Sequence, residues 1–571
     1  MTMQPMLESP ALDARWAESF TITGRGDVVV AASTVDGPRL HLAGPGTSPE
    51  PVETLVSTDQ LLPVARGDRI AFWARLSDAG LVLVVADLAA DTLTELPVRA
   101  PLQPHTVAWS SPDELITSER TAEGTALIRV AADGSAPPEV LWRTSGPARW
   151  IDPVPDVGPD GRIVLTVATD ASQDLLVLDP ADGTVSTLVA GNRSAAPTQG
   201  RWSPDGRRVL ITVRRRRSTQ TLLADLDAGV LESLDLPSPL ALPVFDESGS
   251  RLAFASAAWP WTRLLVYGIA DGRITAAPLA DGECGERPLW YGDVCFFVAF
   301  GPDLPPEVRR WRPGDEETVT VAPSASLPKR TTPTVLRIPT SEGFDLPALV
   351  HEPAGPVRGT VVELHGGPSM HWRVAWNPIL LTMVAAGYRV VLVETRGTTF
   401  NAWPIPPMPV TEHGVQEVVD VGYCLEELVR RGLAEPGRIV LAGHSHGAYV
   451  AYRASQTDQP VAGVIMTSGY LQPGTLADSA DPEVHRFAAT AYASAAADGV
   501  LPARCPVLAV HGERDRQVPA DAAAATFARL AGTGHRWVLL PGEEHGFRQR
   551  RSAIAYAAEA VAFLDRVTEG V

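Results

Sequence analysis

The sequence predicts two domains: an all-β, seven-bladed propeller over residues 21–325, then a doubly wound, mostly parallel α/β domain over residues 326–571. Two observations carry that division. A turn-plus-strand phrase recurs through the first half at a nearly constant interval, and from about residue 335 short apolar strands alternate with helical stretches. A third observation points to chemistry, because one such strand runs into a helix through Gly443-His-Ser-His-Gly447.

The repeat is a polar turn with Asp and Gly followed by four to six β-formers. It is clearest in Trp202-Ser-Pro-Asp-Gly-Arg-Arg-Val-Leu-Ile211 and Gly158-Pro-Asp-Gly-Arg-Ile-Val-Leu165. Turns centred on positions 27, 68, 113, 160, 205, 248 and 293 are 41 to 47 residues apart, the length of a four-stranded propeller blade. Trp109, Trp202 and Trp290 stand at related positions and are expected to pack blade on blade. Proline and small polar residues through 301–306 and 322–333 mark the boundary. Residues 1–20 form a preceding segment expected to pack on the second domain; they lack the basic start and apolar core of a signal peptide.

A formal charge of -19 argues against nucleic acid, which needs clustered cations. The one basic cluster, Arg207, Arg208 and Arg214 to Arg217, falls on a predicted strand pair. Cys284, Cys295, Cys424 and Cys505 show neither paired metal spacing nor the density of a disulfide scaffold, and no run reaches membrane-spanning length. A cytoplasmic protein with free thiols and no membrane partner is expected, with homo-oligomerisation left open.

In the second half, strands are predicted at 360–364, 388–393, 438–442, 463–467, 507–510 and 536–540, with clear helices at 415–431 and 553–567. Function in such sheets collects after the strands' carboxyl ends. There the sequence places His365-Gly-Gly-Pro368, then Ser445 between Gly443 and Gly447, then Asp515 in His511-Gly-Glu-Arg-Asp515, and finally His545 in Pro541-Gly-Glu-Glu-His545. A sharp strand-to-helix turn needs small residues two before and two after the serine, and glycine holds both places. The chain order Ser445, Asp515, His545 is that of an α/β-hydrolase triad. The N–H of His446 and those of Gly366 or Gly367 are the candidate oxyanion donors. His444 and His446 sit in a tight turn without further ligands at metal spacing, so no metal or cofactor is expected. His511 is expected to brace the loop of Asp515, and Glu543 and Glu544 to be exposed loop carboxylates.

With these motifs, and Arg396-Gly397 after a strand, nearly the whole chain resembles the prolyl oligopeptidase family of serine peptidases, most closely its acylaminoacyl-peptidase and dipeptidyl-aminopeptidase-like branches. The resemblance implies a propeller that restricts entry, short peptides or small acylated substrates, and an acyl-enzyme. The chain departs from the family pattern in several places. Glu394 stands where Asn or Asp is usual, Ala448 replaces a common third glycine, and the segment 469–503 is short. The loop after Arg396-Gly397 reads Thr398-Thr-Phe-Asn-Ala-Trp-Pro-Ile-Pro-Pro-Met-Pro409, and no Glu-Glu pair falls within a propeller loop. Arg396, Phe400, Trp403 and Tyr470 are the candidate substrate contacts. Two alternatives stay open: an esterase, thioesterase or transacylase acting on a specialised metabolite, motivated by the altered loop, and a non-catalytic propeller interaction protein.

Overall fold

A computed structural model of the chain describes residues 16–569 apart from 44–49, 52–57, 78–79, 101–106, 122–123, 145–149, 152–154, 169–171, 193–194, 216–218, 238, 325–326, 328–331, 369, 399–402, 493–501 and 531. The chain divides between residues 326 and 327 into two compact units.

In the first unit seven antiparallel sheets follow one another, each made of consecutive strands. They run from Ala17–Ile22 to Glu50–Pro51, Thr58–Arg66 to Thr92–Arg99, Ala108–Ser111 to Glu139–Arg143, Trp150–Ile151 to Thr184–Val189, Ala195–Trp202 to Val230–Leu234, Val244–Phe245 to Ile274–Ala276, and Cys284–Tyr291 to Val319–Ala322. This is a seven-bladed β-propeller. The recurring phrase is the turn into the second strand of each blade. Six of these turns carry a glycine at positive φ (Gly26, Gly67, Gly161, Gly206, Gly249 and Gly292, between 58° and 86°), a region other residues enter at a cost. The tryptophans do join blades: Trp109 Nε1 donates to Val64 O at 3.0 Å and Trp290 Nε1 to Val244 O at 3.1 Å. The guanidiniums of Arg162 and Arg251 lie 4.7 and 4.8 Å from the ring centres of Trp202 and Trp290.

The ring closes by contact between the first and seventh blades rather than by a shared strand. Ala17 N donates to Pro306 O at 2.8 Å, Tyr291 Oη to Gly24 O at 3.3 Å, and the Arg287 guanidinium to Glu18 O. The first blade therefore uses residues that the sequence reading assigned to the segment 1–20, whose residues 1–15 lie outside the described residues.

The second unit is one eight-stranded sheet: β1 (Thr334–Pro339), β2 (Asp345–His351), β3 (Gly359–Leu364), β4 (Tyr388–Val393), β5 (Ile439–His444), β6 (Val461–Thr467), β7 (Val507–Gly512) and β8 (Arg536–Leu540), in the order β1-β2-β4-β3-β5-β6-β7-β8. Only the pairings of β2 are antiparallel. Six described helices accompany it: α1 (Pro378–Ala385), α2 (Gln416–Arg430), α3 (His446–Ala454), α4 (Pro482–Ala491), α5 (Ala520–Phe527) and α6 (Arg550–Thr568). β1 and β2 were absent from the sequence expectation; β1 alternates exposed and buried residues at an edge, without the continuous apolar run that marks the central strands. Strand order reverses between β3 and β5, which is where such sheets open a crevice. Parallel register there sets Leu364 against Gly443, so the loops leaving β3 and β5 emerge side by side.

Candidate active site

The serine comes from a strained elbow. Ser445, the N-cap of α3, has φ 54° and ψ −117°, a conformation costing about 1–3 kcal/mol that persists only when its surroundings enforce it. They do so by close packing. A Cβ on Gly443 would lie 2.4 Å from the Gly447 carbonyl, and one on Gly447 would lie 2.4 Å from the carbonyl oxygens of Leu364 and His365. Ala448, in place of a third glycine, leaves no room across from it: a Cβ on Gly469 would fall 2.4 Å from the Ala448 Cβ.

The elbow brings Ser445 to residues distant in the chain. Ser445 Oγ is 3.0 Å from His545 Nε2, and His545 Nδ1 is 2.8 Å from Asp515 Oδ2. Asp515 is buried, and its other oxygen accepts the N–H groups of Gln517 and Val518 at 3.0 and 2.9 Å. Burial alone would raise the Asp515 carboxyl. Hydrogen bonds from His511 and His545, and their charge, outweigh it and hold the group well below the usual carboxylate range. His511 braces this loop, with Nε2 2.8 Å from Val518 O and its ring stacked on Trp537. An ionised Asp515 requires a proton on His545 Nδ1 and leaves Nε2 as acceptor for the serine hydroxyl.

The candidate oxyanion donors flank the same point. His446 opens α3, where an N–H has no partner within the helix. A Cβ on Gly366 would sit 3.6 Å from the Ser445 Cβ, so the bare backbone of this loop lies against the nucleophile. His365 Nδ1 is 2.9 Å from Gly366 O, and its donated proton orients the peptide unit that carries the Gly367 N–H. Glu394 lies behind His365 at 3.5 Å and accepts the Trp372 N–H at 2.6 Å. Burial opposes charge on His365, but the Glu394 carboxylate more than offsets it and raises the imidazole above its ordinary value. His444 packs its ring 4.9 Å from that of His545; burial, aided by that neighbour, pushes it down to about 3, so it stays neutral.

Three of the four candidate substrate contacts are engaged with neighbours inside the α/β unit. Arg396 is buried and committed to carboxylates, with Nη2 2.6 Å from Asp420 Oδ1 and 2.8 Å from Glu342 Oε1. Trp403 packs at the sheet edge, donating to Asp345 O at 3.1 Å beneath the Arg337 guanidinium. Tyr470 is buried in an aromatic cluster with Tyr449 and Tyr492, and Phe400 lies outside the described residues.

Two further expectations are corrected. Glu543 is buried, and its carboxylate accepts the N–H groups of Arg548 and Gln549 where α6 begins. His446 does have acidic and histidine neighbours: Glu417 and His413 meet it in one buried group whose nitrogen and oxygen atoms lie within 4.8 Å of one another. His413 and Glu417 show i,i+4 spacing, but nothing local connects them to a residue 29 positions beyond.

A strained serine, a histidine and a buried aspartate in hydrogen-bond contact, on a sheet of this order, have the arrangement of an α/β-hydrolase triad. Residues 372–570 match the model of the prolyl oligopeptidase family. Over 323 residues the chain is 25% identical to the acylamino-acid-releasing enzyme of Homo sapiens, covering 54% of this chain and 34% of that protein. Over 227 residues it is 25% identical to dipeptidyl-peptidase 5 of Porphyromonas gingivalis, covering 36% and 33%. The chain thus spans about a third of the length of the curated relatives it matches. Among solved structures, a puromycin hydrolase aligns with a TM-score of 0.80 at 18% identity, covering 97% of this chain and 95% of that one. The acylaminoacyl peptidase of Pyrococcus horikoshii aligns at 0.71 and 15%, covering 98% and 97%. At these identities the structural likeness is one of fold.

Proposed function

We propose that this protein is a serine hydrolase that cleaves short peptides or acylated aminoacyl amides through an acyl-enzyme. The observation that carries this reading is the run of two short hydrogen bonds from Ser445 through His545 to the buried Asp515. Ser445 Oγ attacks the carbonyl carbon while its proton passes to His545 Nε2. The negative oxygen that forms is held by the N–H of His446 and those of Gly366 or Gly367, donors each worth about 3–4 kcal/mol of barrier in such sites. His545 then returns the proton to the leaving nitrogen as the C–N bond breaks. Water repeats the sequence on the ester, giving the acid and free Ser445. No step needs a metal or cofactor.

The family match and the names of the curated relatives favour an amide substrate, and a cytoplasmic place of action agrees with four free thiols. Among the described residues no helix is long and apolar enough to cross a membrane. The ester or acyl-transfer alternative drew on an apolar wall containing Trp403, and that ring is occupied at the sheet edge. The test is labelling of folded protein by a fluorophosphonate, followed by turnover of a library of aminoacyl amides, acyl peptides and acyl esters, with Ser445→Ala as control. Labelling confined to Ser445 and amide turnover are expected. Ester turnover without amide turnover counts against a peptidase, and unlabelled protein against any serine hydrolase.

A further inference from the structure

Beside the oxyanion hole runs a buried polar chain that the triad chemistry does not use. His446 Nε2 is 3.0 Å from Glu417 Oε1 and its Nδ1 is 2.5 Å from Tyr492 Oη, which is in turn 2.8 Å from Tyr470 Oη. Glu417 Oε1 also meets His413 Nδ1 at 2.7 Å, and Oε2 accepts the Gly414 N–H at 2.6 Å. One arrangement of protons satisfies every member. His413 and His446 each donate to an ionised Glu417, while Tyr470 donates to Tyr492 and Tyr492 to His446 Nδ1.

A metal does not account for this spacing. Zinc bound at about 2.0–2.1 Å keeps two ligand nitrogens roughly 3.3–3.5 Å apart. Here both nitrogens sit 2.7 and 3.0 Å from one carboxylate oxygen, closer than two ligands of one zinc ion stand and at the distance of two N–H donors to that oxygen.

Burying a carboxylate costs several kcal/mol of lost hydration, which aromatic packing alone would not require. Its location suggests the return. His446 is joined through the Ser445–His446 peptide to the strained serine, and its ring is gripped from α2 on one side and from Tyr492, just past α4, on the other. Resting on the reading of Ser445 as nucleophile, we propose that Glu417 is a positioning residue for the oxyanion hole: by clamping the His446 ring against Tyr492 it fixes the main-chain N–H of His446 beside Ser445 Oγ.

Glu417→Gln keeps the size but sets an NH2 group against either the histidine donors or the Gly414 N–H. Four quantities test it: the second-order rate of fluorophosphonate labelling of Ser445, kcat and KM on an aminoacyl-amide reporter, and affinity for a peptide aldehyde, whose hemiacetal oxygen occupies the hole. Labelling rate, kcat and aldehyde affinity are each expected to fall about tenfold, with KM within about twofold, the signature of an interaction made in the transition state. Tyr492→Phe, which removes one hydroxyl, is expected to show the same pattern at about threefold, and it decides the matter if Glu417→Gln does not fold. Unchanged labelling and aldehyde affinity in the folded variants, or a loss confined to KM, overturns the positioning role while leaving the nucleophile intact. Wild-type protein that fails to label overturns the hydrolase reading itself.

Discussion

Ser445 occupies a backbone region that L residues rarely adopt, so the proposed nucleophile depends on neighbours that tolerate no added atoms. Gly447→Ala would drive a Cβ to 2.4 Å from two main-chain oxygens, which cannot swing aside as a side chain does. We expect urea unfolding to show a loss of about 1–3 kcal/mol or more, together with loss of fluorophosphonate labelling. Asp515→Asn leaves the loop's shape but offers an amide in place of a carboxylate that receives two backbone donors and two histidines. His545 then loses the partner that keeps its proton on Nδ1. A drop in kcat of roughly four orders of magnitude, with little change in KM, is expected from steady-state kinetics. At this scale the candidate triad was readable from order and spacing, since each member stands in the turn or loop after a strand, and the fold sets the three within hydrogen-bond reach. Arg396 was open between a substrate carboxylate and an internal partner such as Glu394, because a charged residue next to a predicted site looks available until folding brings in its carboxylate partners, here Asp420 and Glu342.

Among the elements, β3 carries an unusual load. Glu363 lies within this central strand, and its Oε2 has no hydrogen-bond partner; burial pushes the carboxyl up from 4.5 to about 7. Below pH 4.5 the group is protonated in both folded and unfolded chains and has no effect on the balance. As pH rises from 4.5 to 7 the unfolded chain releases a proton that the folded one keeps, so the native state loses on the order of 3 kcal/mol, a cost that levels off above pH 7. Glu363→Gln removes the titration. Denaturant melts should therefore show the variant gaining on wild type between pH 4.5 and 7 and holding a constant advantage at higher pH; a pH-independent difference would count against the buried acid. The central strands were legible as apolar runs, but β1 was not, because its half-exposed edge pattern resembles that of a loop in a single sequence, nor was β2, a short buried strand interrupted by Pro347.

For the whole molecule, the division near residue 326 separates two sets of buried clusters, with one large core around β3, β5 and α3 and a series of smaller ones between blades. Such cores are expected to unfold separately. Calorimetry should give two transitions, and Gly447→Ala should lower only the one belonging to the α/β unit; a single endotherm displaced as a whole would refute independent cores. Turnover should fall steeply along a series from short acyl peptides to an intact protein, measured by release of the acylated residue.

What the sequence by itself determined are the features written in local chemistry: the blade period in its Asp-Gly turns, the sheet in its apolar runs, and the triad and oxyanion loop in residues that must sit at strand ends. Periodicity and turn geometry are properties of a few neighbouring residues, so a single chain displays them. What only the tertiary structure decided is which polar groups are already engaged. Arg396 is neutralised by two acids, Glu543 is folded under the start of α6, and His446 is tied to Glu417 and Tyr492. Glu543 meets groups five and six residues on, but the partners of Arg396 and His446 lie tens of residues away and meet them only when helices pack on the sheet; burial then favours each pairing, because an unpaired charge there is costly.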